Sequence, residues 1–366
     1  MGSTMVQLDE GKVRQYLEGR FGGPVRILRL SVLGEASHAG ELKGYGYGVP
    51  VKVEYELAGQ PRSAVLETVT PGPFGHEHMA DRAQILLWSH STFNRLPRHV
   101  RSLDVGGFST DGSLVSVGNV EEFFALNEFV SGEEYRRDLE RLRDGGDLRD
   151  RDVARADALC DYLVDIHRVS GPDPSLYLRR ARELVGHHEC IMGIIDSYPR
   201  AFDGLKADLL QDIERALVEW RWRLKEHSHR LRQVHGDFHP WNVLFQEGSN
   251  FVVLDRSRGE WGEPADDVTA LTINYLFFSL QRSGRLEGSF ATLFSRFWQR
   301  YVKATGDDEL QAVAGPFFAF RGLVVASPLW YPRLGPGVRA KLLNFVRTIL
   351  DRPRFDPTCV NEYCRG

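Results

Sequence analysis

No stretch of this 366-residue chain approaches 18 consecutive apolar residues, so no membrane-spanning helix is expected. The opening residues, Met1-Gly2-Ser3-Thr4-Met5, lack a basic region followed by an apolar core and do not read as a signal peptide. Cysteine is scarce. Cys160, Cys190, Cys359 and Cys364 show no C-x-x-C spacing, which points to reduced thiols in a cytoplasmic protein rather than a disulfide framework. Cys160 falls in an apolar helical pattern and is expected in the core. Cys359 and Cys364 lie close together but lack two further metal ligands. Excess charge of one sign is missing too. The 46 Lys and Arg against 50 Asp and Glu give a net charge of −4 and a pI near 6.3, which argues against a partner bound by phosphate neutralisation such as nucleic acid. Internal repeats and low-complexity runs are also lacking. The 42% hydrophobic and 26% charged residues are those of a globular protein, long enough for two lobes.

Periodicity divides the chain. Residues 8–21 read as a helix through Val13, Leu17 and Phe21. Alternation predicts strands over Val25–Leu33, Val49–Leu57 and Ser63–Val69, with Gly59-Gln60-Pro61 as a turn. A helix is expected over 75–93, with Met79, Ala83, Leu86, Leu87 and Trp88 on its apolar side. Two further strands fit Leu114–Val117 and Phe123–Val130. From 134 to about 230 the pattern is largely helical, including Asp152–His167. Later helices are expected over 264–283, 287–304 and 308–327.

The most informative stretch is His235-Gly236-Asp237-Phe238-His239-Pro240-Trp241-Asn242, followed by the apolar Val243-Leu244-Phe245. A second apolar run, Phe251 to Leu254, ends in Asp255. Phosphoryl transfer needs one carboxylate to orient and deprotonate the acceptor hydroxyl. It also needs an Asn and a second carboxylate to hold magnesium against the phosphates. The D-x-x-x-x-N spacing and the strand-borne Asp supply those groups in that order. Asp237 is the candidate base, and Asn242 and Asp255 are the candidate metal ligands. His235 is expected to buttress the loop, Gly236 to allow a tight turn, and His239 to bond locally or touch the acceptor. Arg256 and Arg258 are expected to pair with Glu260 and Glu263, or to reach a phosphate or an anionic acceptor.

These residues, with Leu254-Asp255 and Gly262-Glu263-Pro264-Ala265-Asp266-Asp267-Val268, resemble the aminoglycoside phosphotransferase and choline kinase-like family. That family usually shows H-G-D-x-x-x-x-N, then I-D, then G-D-P-x-x-D-L. The resemblance is strong over about 232–275 and weak in the N-terminal third. It implies an α+β, two-lobed, protein-kinase-like fold. The N-lobe, an antiparallel sheet with a helix over 1–130, would bind nucleotide. The mainly helical C-lobe over 131–366 would carry catalysis and the acceptor. The implied reaction moves the γ-phosphate of ATP or GTP, with Mg²⁺, to a hydroxyl of an amino sugar, amino alcohol or related metabolite. Asp267 would brace the catalytic loop. Only eleven residues separate Asp255 from Asp267, which leaves no room for a peptide-docking activation segment and favours a small-molecule acceptor.

For the nucleotide, the resemblance puts Glu128 and Val130 in the hinge, Val65 on the third strand, and Ser37 with the glycine-rich Gly34–Gly48 region over the phosphates. The glycines there are not spaced G-x-G-x-x-G. Aligning Ala64-Val65-Leu66-Glu67 with V-A-I-K puts Glu67 where a phosphate-binding Lys belongs. A compensating cation is therefore expected nearby, with Lys43, Lys52 and Arg82 as candidates. Without one, the chain would be a catalytically weak nucleotide-binding or scaffolding pseudokinase. The acceptor cleft is expected among the C-lobe helices, near Trp261, Trp298 and Trp330.

Overall fold

The computed structural model describes residues 8–33, 48, 50–72, 74–199 and 207–365. Ser37, Lys43 and the 34–47 part of the glycine-rich region lie outside the described residues. The chain divides into two compact units, Met1–Asn127 and Glu128–Gly366.

The first unit opens with α1 (Glu10–Phe21), capped by the Asp9 carboxylate, which accepts from the Lys12 amide at 2.9 Å. Strands β1 (Val25–Val32), β2 (Val51–Leu57) and β3 (Gln60–Leu66) follow as an antiparallel sheet in that order. Their alternation puts Val25, Val53 and Tyr55 on the face that packs with Val13 and Leu17 of α1. Helix α2 (Met79–Phe93) comes next, then a hairpin of β4 (Gly106–Phe108) and β5 (Leu114–Ser116).

Two expectations need correction here. The apolar side assigned to α2 forms no core: none of its residues is fully buried, and Met79 and Trp88 are exposed. The strand expected over Phe123–Val130 does not form. Those residues carry no ladder hydrogen bonds, and Phe124, Leu126 and Phe129 are each at least 90% exposed. Their β-favouring composition lacks a partner edge, and pairing rather than propensity is what makes a strand.

The second unit begins with β6 (Glu133–Glu134) and the helices α3 (Arg136–Arg143), α4 (Asp150–His167), α5 (Ser175–Gly186), α6 (Ile191–Asp196) and α7 (Ala207–Leu224). Short strands β7 (Arg232–Gln233), β8 (Val243–Phe245), β9 (Phe251–Val253) and β10 (Trp261–Gly262) frame the motif region. Helices α8 (Pro264–Ser283), α9 (Gly288–Thr305), α10 (Leu310–Ala326), α11 (Pro336–Leu350) and α12 (Val360–Tyr363) complete it. Helix α8 is buried from Pro264 to Leu280, its polar residues Asp266, Asp267, Thr269, Thr272 and Asn274 included. Cys160 is fully buried, and burial pushes its thiol up to about 12. Among the described residues no helix is long and apolar enough to cross a membrane.

Candidate active site

The motif loop is held from both ends. Upstream, β7 pairs with β10, and the Val234 amide extends that contact to the Glu260 carbonyl at 3.0 Å. Downstream, β8 pairs with β9, and the Leu254 amide donates to the Asn242 carbonyl at 2.8 Å. The hairpin thus brings Asn242 opposite Leu254, with Asp255 as the next residue. Between these anchors Gly236 turns at φ +84°, a conformation that disfavours a side chain, and an added Cβ would also meet Arg258 Cβ at 3.2 Å.

The N-terminus of α8 braces this turn. Glu263 caps the helix by accepting from the Ala265 amide at 3.2 Å. It is itself fixed by Arg230, at 2.7 and 2.9 Å, and by the Tyr177 hydroxyl at 2.8 Å. Asp266 and Asp267 then project from the first turn, where the helix dipole favours carboxylates. The fully buried Asp267 accepts from the backbone N–H of His235 at 2.8 Å and of Gly236 at 2.7 Å, and it meets His167 Nε2 at 3.1 Å. Burial opposes its charge. His167, His235 and the bonded amide together outweigh burial and hold its carboxyl below the usual range. This is the bracing role that the motif implied.

His235 is buried, and its Nδ1 accepts from the Asp237 amide at 3.3 Å. Desolvation lowers its pKa, so the ring is neutral at pH 7 and serves the loop backbone. The Asn242 amide group donates to the Asp237 carbonyl at 3.1 Å. Asp237 thus stands between a braced turn and the hairpin.

Its carboxylate is not free. Oδ1 accepts from Arg321 Nη1 at 2.5 Å, and Arg258 Nε lies 3.6 Å away. Oδ2 has His239 Nε2 at 3.6 Å. Arg321, on α10, also donates to the Gly236 carbonyl at 2.9 Å and to Asp266 at 2.6 Å. Burial would raise the Asp237 pKa, but Arg321 foremost, with His239 and Arg258, holds it well below the usual carboxylate range. Oδ1 is therefore fixed, and Oδ2 is the oxygen with room for another donor.

Asp255 is exposed and adopts φ +53°, a conformation Asp tolerates better than most residues. Backbone of this kind clusters at functional sites. Among the described residues its carboxylate has no hydrogen-bond or ion-pair partner, and no group of three His, Cys, Asp or Glu side chains is placed to hold a metal. A cation here would rely on Asp255, Asn242 and oxygens of its ligand. Hard carboxylate and amide oxygens suit a small divalent ion that keeps several outside ligands.

Other expectations fare differently. Glu263 is taken by Arg230. Arg256 donates to the backbone carbonyls of Val234 and Glu260, and Arg258 faces Asp237 and Glu189. The expected pairing with the Glu260 and Glu263 carboxylates is thus replaced. Trp298 is core, stacked on Phe318, whereas Trp330 is exposed and Trp261 bonds Glu260, so the three tryptophans form no common cleft. In the first unit, Val65 and Glu67 line a cavity of about 880 Å³ that Lys52 also borders. Lys52 is paired with Glu54 at 2.7 Å, and Arg82 donates to the His76 and Glu77 carbonyls. No described cation bonds Glu67, so the expected compensation is not found among the described residues. Glu128 is exposed and Val130 half-buried at the start of the second unit. Arg321 was missed by sequence reasoning, since no local pattern marks a cation that acts 84 residues away.

Residues 100–306, more than half of the chain, match the family described as the phosphotransferase enzyme family. No curated protein sequence matches. Solved structures with partial likeness include a glucosamine kinase, 15% identical, covering 87% of this chain and 90% of that one at a TM-score of 0.40. An amicoumacin kinase, hAmiN, in complex with AMP-PNP, Ca²⁺ and Ami is 16% identical over 96% and 97%, at 0.41. A Plasmodium vivax ethanolamine kinase is 13% identical over 92% and 80%, at 0.33. Those identities and TM-scores are too low to carry an argument, and the assignment rests on the family match together with the motif. This chain belongs to the phosphotransferase enzyme family and is a phosphotransferase that acts on hydroxyl groups of small molecules.

Proposed function

We propose that the chain is a small-molecule kinase that moves the γ-phosphate of ATP or GTP to a hydroxyl of an amino sugar, amino alcohol or related metabolite. Asp237 orients the acceptor. The observation that carries this reading is the grip of Asp267 on the His235 and Gly236 amides, which presents Asp237 beside Asn242 and ahead of the uncommitted Asp255.

In this reading the acceptor hydroxyl donates to Asp237 Oδ2 while Arg321 holds Oδ1. The hydroxyl oxygen bonds the γ-phosphorus as the bond from that phosphorus to the bridging oxygen breaks, and the hydroxyl proton passes to Asp237. The depressed basicity of Asp237 suits a loose transition state in which aiming matters more than early deprotonation. Asn242 and Asp255 would hold Mg²⁺, which neutralises phosphate charge when bound. Val65 in the first unit, and Glu128 and Val130 in the second, are proposed nucleotide contacts. The test is transfer of labelled γ-phosphate to a hydroxyl-metabolite panel. Product that forms equally well with Asp237→Asn would sink the assignment.

Asp255→Ala removes a charged oxygen ligand, whereas Asn242→Ala removes a neutral one. Even residues behind a metal ligand cost about 10–100-fold when lost. Asp255→Ala is therefore expected to weaken Mg²⁺-dependent nucleotide binding by at least about tenfold, and more than Asn242→Ala does. Calorimetry with and without Mg²⁺ checks this, and equal affinity for wild type and Asp255→Ala refutes it.

One observation favours the second reading, a catalytically weak nucleotide-binding protein: Glu67 has no described cation partner. Such a protein would bind Mg-nucleotide but show no Asp237-dependent turnover.

A further inference from the structure

We infer that the acceptor hydroxyl belongs to a molecule that also carries an anionic group, a carboxylate or a phosphate ester, and that Arg258 receives that group. The inference rests on the Asp237 reading above and narrows its acceptor range to anionic members.

Three guanidiniums converge on the Gly236-Asp237 turn, and they differ in how fully they are used. Arg321 bonds Asp237, Asp266 and the Gly236 carbonyl, all within 3.0 Å. Arg180 pairs with Glu183 at 3.0 Å and Asp266 at 3.5 Å. Among the described residues Arg258 has no hydrogen-bonded oxygen. Asp237 and Glu189 each stand 3.6 Å away, and its remaining neighbour is Cys190 Sγ at 3.6 Å, a weak acceptor. The Glu189 side chain is 73% exposed and well solvated, whereas that of Arg258 is only 18% exposed.

A guanidinium offers five donors in a planar fork. One that is mostly withdrawn from water, and whose counter-charges stand beyond hydrogen-bonding distance, bears a desolvation cost that a bound anion would offset. The Phe320 ring, 5.0 Å from the Arg258 carbon, backs the fork. Forked recognition of a carboxylate or phosphate is the chemistry arginine does best. The neighbours of Arg258 are Asp237, which orients the acceptor in this reading, together with Glu189 and Cys190 from the α5–α6 connection and Phe320 from α10. The anion is therefore assigned to the acceptor rather than to the nucleotide.

The test uses the full chain with Mg²⁺ and a non-hydrolysable ATP analogue. Calorimetry compares D-glycerate and gluconate, glycerol 3-phosphate and glucose 6-phosphate, and the neutral or cationic counterparts glycerol, glucose, ethanolamine and glucosamine. The expected result is measurable binding of at least one anionic set, carboxylate or phosphate, and weaker binding of its neutral and cationic counterparts. Arg258→Met should weaken the anion by about tenfold or more, the worth of a charge-assisted hydrogen bond. Arg258→Lys should retain part of it, and the affinity for the analogue should not change. Preference for ethanolamine or glucosamine, no anionic binder, anion binding indifferent to Arg258→Met, or a loss confined to the analogue would each overturn the inference. Failure of the kinase reading is separate: anion binding through Arg258 without any ATP turnover would remove the kinase and leave the anion site.

Discussion

Asp237→Asn is expected to lower turnover by about 10²-fold or more, the scale of lost general-base function, while leaving Mg-nucleotide binding nearly intact. The substitution keeps the shape of the side chain and one acceptor oxygen. Arg321 retains Asp266 and the Gly236 carbonyl as partners, so the turn itself should survive. What disappears is the negative charge that attracts the hydroxyl proton on Oδ2. Steady-state kinetics with an identified acceptor, beside calorimetry with Mg-ATP, separate the two effects. Unchanged turnover would remove Asp237 from the chemistry. Lost nucleotide binding would instead mean that the residue serves the phosphates.

Arg321→Met should destabilise the second unit by about 3–5 kcal/mol at neutral pH, because it strands buried carboxylates without their cation. Arg321 is 5% exposed and bonds both Asp237 and Asp266, and the remaining guanidiniums approach those carboxylates no closer than 3.5 Å. The effect depends on pH with a definite sign. In the wild type the Asp237 pKa is depressed on folding. Its contribution is therefore present above the unfolded carboxylate value of about 3.9 and is lost as pH falls through the lower folded value. With Arg321, the largest of the effects that oppose burial, gone, burial is expected to outweigh His239 and Arg258 and to raise the folded Asp237 pKa above the unfolded one. The deficit of the variant should then shrink as pH falls from 7 towards 4, since the stranded Asp237 carboxylate takes up a proton. Urea denaturation of both proteins at pH 7 and pH 5 measures this. Equal stability at pH 7, or a gap that widens in acid, would refute the coupling.

The motif was legible because its function is local. Asp237, Asn242 and Asp255 must sit on one turn and one hairpin, and five-residue spacing followed by two apolar runs has few other uses. The brace on that turn was legible through the family resemblance, which implied that Asp267 holds the loop, and the structure has Asp267 on the His235 and Gly236 amides. Helices α8, α9 and α10 were placed closely by their periodicity. The strand over Phe123–Val130 was misread because its residues favour extended structure whether or not an edge is at hand to pair with them. The apolar side of α2 was misread for a similar reason: periodicity describes a face but not what covers it.

By itself, then, the sequence determined most of the helices, the family and the candidate groups for phosphoryl transfer, because each is encoded in spacings of a few residues. The tertiary structure alone decided the charge around Asp237. Arg321 comes from α10 and Arg180 from α5, Arg258 faces Asp237 and Glu189 rather than Glu260 or Glu263, and Arg230 holds Glu263. Long-range ion pairs follow from how helices pack against each other. Only when α8 and α10 come together around the Gly236 turn does an ordinary arginine become the partner of the Asp237 carboxylate.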